Sequence, residues 1–228
     1  MRVIDQSPAG ASTVAPAESP LPSLRERRRL TTEREVGDAA LQLFETRGVA
    51  ATTVGDIARA AGISDRTFFR YFSSKEETVL DFQFWFREPT RSWLTSVRAG
   101  AARTDAPVLE QLEAVCAAVL VQLDGPLSDA ADRLRRIRTL MKSEPSLRSM
   151  SATLDHERAY LLAAQIVDAF DGRVTEVEAR IAAELVGLAL RAACELWSSQ
   201  LDAGESATLD ESYRTVRGTV RSLVSPAS

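Results

Sequence analysis

Apolar residues recur every three or four positions along most of this 228-residue chain, and that spacing constrains its fold more than any other feature. Val36, Ala40, Leu43 and Phe44, for example, would form one stripe on a helix, as in an amphipathic helix with one buried face. No stretch keeps the alternation of apolar and polar residues that is typical of a half-buried strand. The sequence therefore predicts an all-α fold without a sheet.

Start and stop signals divide this pattern into helices. Thr32 with Glu35 predicts a capping box at the start of the first helix, which Gly48 ends. Thr53 and Ser64 predict the starts of two short helices. A capping box at Ser74 and Glu77 predicts the start of a long fourth helix, which Pro89 kinks or interrupts. Further helices are predicted at 107–123, 129–143 and 146–170, from Thr175 to about Asp202, and from Thr208 onward.

Composition and charge divide the chain into three segments. Residues 1–23 contain four of the nine prolines and few large apolar side chains, so we expect a disordered tail. Residues 24–75 contain ten basic and seven acidic side chains, whereas residues 76–228 contain seventeen and twenty-three. A polyanionic partner would therefore bind the 24–75 segment, although a solvated basic surface explains the same charge. We expect an N-terminal domain at 24–75 and a larger C-terminal helical bundle domain at 76–228.

Several classes of protein are disfavoured by the sequence. The longest apolar run, Ala114 to Val121, is far shorter than the roughly 20 residues of a membrane-spanning helix. The first residues lack the apolar core of a signal peptide, so we expect a cytoplasmic protein. The single histidine, His156, and the two cysteines, Cys116 and Cys194, do not have the spacing of metal ligands. We expect no metal, no cofactor and no enzymatic activity.

Residues 54–71 carry the most specific pattern in the chain. Two short predicted helices flank a turn at Gly62, where a positive φ angle is needed, and Ala58 is small where the helices would cross. Ile63 and Phe68 supply apolar contacts. This spacing predicts a helix-turn-helix, which presents its second helix to the major groove of DNA, with an ordinary helical hairpin as the alternative.

The run from Thr52 to Glu76 closely resembles the DNA-binding domain of the TetR family of transcriptional regulators. It contains Ala-Gly-Ile-Ser at 61–64 and Tyr-Phe-x-x-Lys-Glu at 71–76 in one register, and the resemblance extends over roughly residues 30–80. It implies an N-terminal three-helix helix-turn-helix domain, a homodimer, and a small-molecule pocket in the larger domain. It also implies a repressor that leaves its palindromic operator when a ligand binds and moves the fourth helix.

The resemblance and the side-chain chemistry together predict the DNA-binding residues. Arg66 can bond both acceptors of a guanine, and Asp65 is expected to position Arg66, although it could instead accept from a cytosine. Phe69 departs from the family, which usually has tyrosine there, and is left out. Arg27 to Arg29 would form an arm ahead of the first helix, or else a solvated run of charge. The predicted set is Arg27, Arg28, Arg29, Thr52, Thr53, Ser64, Asp65, Arg66, Thr67, Arg70, Tyr71 and Lys75.

The resemblance also implies partners for the larger domain. The last two helices would form the interface between subunits, with burial inside one subunit as the alternative. A faint resemblance to regulators of acyl-CoA-like compounds suggests a hydrophobic or acyl-CoA-like effector. The residues assigned to the subunit interface are Ala182, Ala183, Leu185, Val186, Leu188, Ala189, Ala192, Ala193, Val216, Val220 and Leu223. The candidate pocket residues are Trp85, Phe86, Trp93, Met141, Tyr160 and Trp197, although such an aromatic stripe is more often plain core.

Two other functions remain open at this point. One is a helical protein-interaction module that has lost DNA binding, and the other is a ligand-independent DNA-binding regulator. The basic side chains of Arg66, Arg70 and Lys75 favour a DNA-binding protein over an interaction module.

Overall fold

The computed structural model describes residues 23–80, 84–101, 105–124 and 129–224. These residues form helices and no strands, which confirms the all-α prediction. Within the described ranges, no helix is both long and apolar enough to cross a membrane. The helices are α1 (Leu24–Arg47), α2 (Val54–Ala60), α3 (Asp65–Phe68), α4 (Glu77–Leu80), α5 (Phe84–Arg98), α6 (Val108–Leu123), α7 (Asp129–Ser143), α8 (Pro145–Phe170), α9 (Glu176–Asp202) and α10 (Leu209–Val224).

Most of the predicted helix starts are confirmed, but that of α1 is wrong. Ser23 caps α1, and its side chain accepts from the Glu26 N–H. Thr32 lies inside the helix, where its hydroxyl donates to the Arg28 carbonyl at 3.0 Å. A Thr with a Glu three residues later is not specific to a helix start, and the preceding Leu, Arg and Glu residues are good helix formers. The predicted tail at 1–23 lies outside the described residues except for Ser23.

The predicted long fourth helix corresponds to α4 and α5. The Glu77 N–H donates to Ser74 Oγ as predicted, but the Glu77 carboxylate accepts from the Ser73 N–H, at 2.6 Å, instead of completing a box with Ser74. Pro89 lies inside α5, which continues past it to Arg98. Residues 81–83, between α4 and α5, lie outside the described ranges.

The N-terminal helices share a core with parts of the larger domain. Val36 and Phe44 of α1 pack in one cluster with Ile57 of α2 and Phe68 of α3. The same cluster includes Ile137 and Leu147, which belong to α7 and α8. The orientation of α1 to α3 is therefore fixed partly by residues far along the chain.

Ion pairs reinforce this attachment of α1. The Glu33 side chain is only 6% exposed, and its two oxygens accept from Arg29 Nε at 2.7 Å and Arg87 Nη1 at 3.1 Å. Because Arg87 lies on α5, this carboxylate connects α1 with the larger domain. Arg136 of α7 donates twice to Glu45 of α1, at 2.8 and 2.6 Å.

The small residues of α9 lie inside the subunit, which corrects part of the predicted interface. Small side chains let α8 and α10 pack closely against α9. By contrast, Val177, Ile181 and Leu188 on α9 are large, apolar and 46–67% exposed, and Tyr160 and Leu161 on α8 are each 60% exposed. Of the residues assigned to the interface, those that are at most 5% exposed within one chain are Ala182, Ala183, Val186, Ala189 and Ala193.

The revised start of α1 can be tested with two threonines. Thr175→Ala should lower the free energy of unfolding by about 1 kcal/mol, because Thr175 accepts from the Glu178 N–H at the start of α9. Thr32→Ala should change it by less than about 0.5 kcal/mol, since its hydroxyl only donates to a carbonyl that is already within α1. Urea unfolding followed by circular dichroism measures both variants, and equal losses would contradict the revised start.

Candidate nucleic-acid interface

Local hydrogen bonds fix the start of α2. Thr53 Oγ1 accepts from the Asp56 N–H at 3.1 Å, and Asp56 Oδ2 accepts from the Thr53 N–H at 3.1 Å. Thr53 Oγ1 also donates to Asp56 Oδ2 at 2.6 Å. These bonds from Thr53 hold the pKa of Asp56 below its usual value. The helix start that the sequence predicts at Thr53 is confirmed, and the structure shows that it takes the form of a capping box with Asp56.

A turn at Gly62 connects α2 with α3. Gly62 has a φ of +68°, a backbone conformation in which a side chain would be strained. The Ile63 N–H then donates to the Ala58 carbonyl at 2.9 Å and closes the turn. Ser64 caps α3 by accepting from the Thr67 N–H at 3.2 Å, and the two hydroxyls of Ser64 and Thr67 lie 2.9 Å apart.

Aromatic packing holds the inner side of α3. The Phe68 side chain is fully buried, and its ring centroid lies 5.6 Å from that of Phe72 and 5.5 Å from that of Phe69. Phe69 is 59% exposed, because it follows the buried position on the other side of the helix. A single turn of helix is thus attached by one aromatic side chain.

The outer side of α3 carries a mixed polar and aromatic surface. Asp65, Arg66, Phe69 and Arg70 are all exposed there or in the turn just after α3. The described contacts include no hydrogen bond or ion pair between Asp65 and Arg66, so the expected positioning of Arg66 by Asp65 is not present. Phe69, which the sequence analysis left out of the DNA-binding set, lies four residues after Asp65 and three after Arg66, on their side of a helix.

Arg70 and Tyr71 form a pair beside this surface. Arg70 Nη2 donates to the Tyr71 hydroxyl oxygen at 2.9 Å, and the guanidinium carbon lies 4.8 Å from the centre of the Tyr71 ring. A guanidinium at that distance over an aromatic face is attracted by the ring. The pair therefore presents a positioned cation next to the exposed residues of α3.

Thr52 lies in the loop between α1 and α2, and the Lys75 side chain contacts this loop. The predicted phosphate contact of Thr52 needs correction. Thr52 is 1% exposed, and its hydroxyl donates to the Gly48 carbonyl at 2.9 Å, so its side chain is not available to a phosphate. Lys75 Nζ donates to the carbonyls of Val49 and Thr52, at 2.7 and 2.8 Å. The ammonium group thus fastens the loop that precedes α2, a role that depends on contacts more than 20 residues apart in the sequence.

The predicted arginine arm is also corrected. Arg27, Arg28 and Arg29 lie within α1, so they do not form an extended segment ahead of it. All three are exposed, but Arg29 is also paired with the buried Glu33. Arg27 and Arg28, which have no ion pair among the described contacts, remain candidates for contact with a phosphate backbone.

A cavity of about 790 Å³ lies between the N-terminal helices and the larger domain. Its wall includes Arg29, Glu33 and Tyr71 on one side and residues of α5 to α9 on the other. Two of the six predicted pocket residues, Phe86 and Met141, line it.

The other predicted pocket residues have different surroundings. The Trp93 indole N–H donates to Gln111 Oε1 at 3.3 Å, and its ring packs 6.0 Å from Phe170. Trp197 is buried in the core of the larger domain. Tyr160 is 60% exposed. None of these three side chains lines the cavity, since each lies in the core or on the surface. The Trp85 side chain lies outside the described residues.

Comparison with known families identifies the N-terminal segment. Residues 37–81 match the family model described as bacterial regulatory proteins, tetR family. This segment includes α2, α3 and α4, that is, the whole helix-turn-helix described above. The expected family resemblance is confirmed for this part of the chain.

Curated relatives match over a similarly short length. MftR of Mycobacterium tuberculosis, named a mycofactocin biosynthesis transcriptional regulator, is 53% identical over 49 residues, which are 22% of this chain and 25% of MftR. The transcriptional regulator TcmR of Streptomyces glaucescens is 46% identical over 59 residues, or 26% of each protein. The chain therefore spans about a quarter of the length of the curated relatives that it matches. The solved structure of the fatty acid degradation regulator FadR from Bacillus halodurans covers 81% of this chain and 92% of its own, with 21% identity and a TM-score of 0.42.

The role of Lys75 can be separated from a general effect of charge, because the chain has only two lysines. Lys75→Met should lower the free energy of unfolding by about 2 kcal/mol, since it leaves two carbonyls without their charged donor. Lys142→Met removes an ion pair with Asp202 in which both side chains are more than half exposed, and should cost under about 1 kcal/mol. Chemical unfolding measures both, and a smaller loss for Lys75→Met than for Lys142→Met would contradict the assignment.

Proposed function

We propose that this chain, which carries the tetR-family domain at residues 37–81, is a DNA-binding transcriptional regulator whose operator binding responds to a small molecule. The observation that carries the proposal is the outer surface of α3, where Asp65, Arg66, Phe69 and Arg70 are exposed while Phe68 is buried beneath them. A helix held in this way by a preceding helix and turn suits the major groove of B-DNA. The curated relatives carry names of transcriptional regulators and repressors, which favours repression.

The exposed residues suit distinct parts of the DNA. Arg66 can donate to both major-groove acceptors of a guanine, and the Phe69 ring can contact a thymine methyl group. Thr53, Ser64 and Thr67 lie at or near the N-termini of α2 and α3, where hydroxyls and backbone N–H groups favour phosphate oxygens. Arg70, with the Tyr71 ring beneath its guanidinium, adds positive charge beside them.

We place the subunit interface on exposed apolar residues of α8 and α9. Regulators of this family typically bind operators as homodimers. Tyr160, Val177, Ile181 and Leu188 expose large apolar side chains that a second copy would cover. Arg180 lies over the Tyr160 ring, 5.2 Å from its centre, and borders this surface with charge. The resulting two-fold symmetry would match a palindromic operator.

The cavity is the proposed effector site, and its position connects it with the DNA-binding helices. Its wall includes Arg29 and Glu33 of α1 and also Tyr71, the partner of Arg70. A molecule bound there would contact the helices on both sides of the proposed boundary between a DNA-binding domain at 24–75 and an effector and dimerisation domain at 76–228. Differential contacts of this kind are what couple two binding equilibria.

Arg66 provides the direct test of sequence recognition. Arg66→Ala should weaken binding to the selected operator by about 1–3 kcal/mol while leaving non-selective binding nearly unchanged, because it removes contacts with bases and not with phosphates. Arg135→Ala, which replaces an exposed arginine on α7, serves as the control for loss of a surface charge. Fluorescence anisotropy with DNA from upstream of the gene, against scrambled DNA, measures both. Unchanged selectivity in Arg66→Ala would refute the role of Arg66.

The salt dependence tests the phosphate contacts. A dimer with about six to ten phosphate contacts should lose roughly 10³–10⁵ in affinity between 50 and 200 mM salt, because each contact releases counterions. Titrations at a series of salt concentrations give this slope. A flat slope, or no sequence-selective binding at any concentration, would instead favour an interaction module without a DNA partner.

A further inference from the structure

The wall of the cavity is rich in arginine. Seven arginines line it, against three carboxylate side chains. Three of these arginines project from successive helices, Arg138 from α7, Arg158 from α8 and Arg191 from α9. Their side chains are 13%, 19% and 38% exposed. Positive charge is therefore concentrated on this part of the wall, where Arg138 and Arg158 are largely buried.

One partly buried carboxylate faces this group. Asp155 is 19% exposed, and its oxygens lie 3.3 Å from Arg191 Nη1 and 4.0 Å from Arg158 Nη1. Burial raises the pKa of Asp155 above its usual value, although Arg191 and Arg158 oppose that shift. Arg138 pairs on its outer side with Glu195, at 3.2 Å, but Glu195 is 69% exposed. Asp155 is thus one carboxylate shared between Arg191, which donates to it, and Arg158, which lies farther away.

Arg138 and Arg191 have more N–H donors than the acceptors described for them. A guanidinium has five N–H donors, and a buried charge is costly unless it is paired and hydrogen-bonded. Among the described contacts, Arg191 donates to Asp155 alone, and Arg138 donates to the Met141 sulfur, a weak acceptor, at 3.9 Å. An added anion could bond both arginines from inside the cavity.

Aliphatic side chains form another part of the wall. Leu112, Leu134, Ile137, Val186 and Leu190 line it, and together they offer an apolar surface without hydrogen-bonding groups. The volume of about 790 Å³ is within the range of sites that enclose a small organic molecule. A ligand that suits the whole cavity therefore has an anionic group and an aliphatic body.

We infer that the cavity binds an organic anion, a carboxylate or a phosphate monoester, with its charged group between Arg138 and Arg191 and its aliphatic body against Leu112, Leu134 and Val186. This inference deepens the proposed function and rests on it for the consequence of binding, but not for the binding itself. Arginine suits such a group because its planar fork matches the oxygens of carboxylates and phosphates.

The chemistry of the ligand is tested with matched probes. Decanoate, decyl phosphate, decanol and decyltrimethylammonium share an aliphatic chain and differ in charge, and isothermal titration calorimetry with the full chain gives their affinities. Both anions should bind at least about tenfold more tightly than the alcohol, because one charge-assisted hydrogen bond contributes that much. Shorter and longer carboxylates, from butanoate to dodecanoate, establish the best length. Equal binding of the alcohol or the cation, or no binding by any carboxylate of the series, would overturn the inference.

Variants then locate the charged group. Arg138→Gln and Arg191→Gln should each weaken decanoate at least about tenfold. Arg135→Gln on the same helix as Arg138, with a side chain 59% exposed, should leave the affinity unchanged. Asp155→Asn should strengthen decanoate binding and leave decanol unaffected, because it removes the internal competitor for Arg191. Weaker binding in Asp155→Asn, or equal losses in Arg135→Gln and Arg138→Gln, would contradict the placement.

Measuring DNA binding and decanoate binding in the same protein tests the anion site separately from the proposed function. Fluorescence anisotropy of the complex with selected DNA should fall as decanoate is added. Decanoate binding without any sequence-selective DNA complex would refute the regulator and leave the anion site standing. A stable DNA complex in protein that binds no anion would refute the anion site alone.

Discussion

The structure depends above all on how a four-residue helix is kept in one orientation. A single helical turn is not stable in isolation, because nucleation is costly and few hydrogen bonds offset it. α3 is therefore fixed by its neighbours: Ser64 at its start, Phe68 in the core beneath it, and Lys75 on the loop that positions α2. The side chains of Asp65 and Arg66 contribute none of the described contacts that hold the helix, so these exposed side chains remain available to the proposed DNA partner.

The N-terminal helices are likewise held in position by contacts with the larger domain. The buried Glu33 carboxylate accepts from both Arg29 and Arg87, and it would be a buried charge without compensation if both arginines were removed. Ile137 and Leu147 complete the apolar core below α1. The N-terminal helices are thus not an independent unit that is merely tethered, and a shift in α5 or α7 has direct contacts through which to move them.

How far the sequence predicts this structure depends on the range of the interactions. The starts of α2 at Thr53 and of α9 at Thr175 depend on local hydrogen bonds, and both were predicted from nearby residues. The same local pattern failed at Thr32, because nothing within four residues distinguishes a helix start from a helix interior. Lys75 was predicted to contact a phosphate. Its contacts with the Val49 and Thr52 carbonyls could not be predicted, because they join parts of the chain that are distant in sequence. The aromatic stripe similarly identified apolar positions but not which of them face a cavity.

At the proposed effector site, a ligand that changes only one hydrogen bond would suffice to alter DNA binding. Typical coupling between two sites is about 1–3 kcal/mol, and a hydrogen bond to a charged group contributes about 1.5–3 kcal/mol. An anion that took Arg191 from Asp155 would change one such bond, and the wall of the same cavity continues to Glu33 and Arg29 on α1. In the proposed mechanism, a redistribution of hydrogen bonds among these arginines would be comparable in free energy with the coupling that moves α1 to α3.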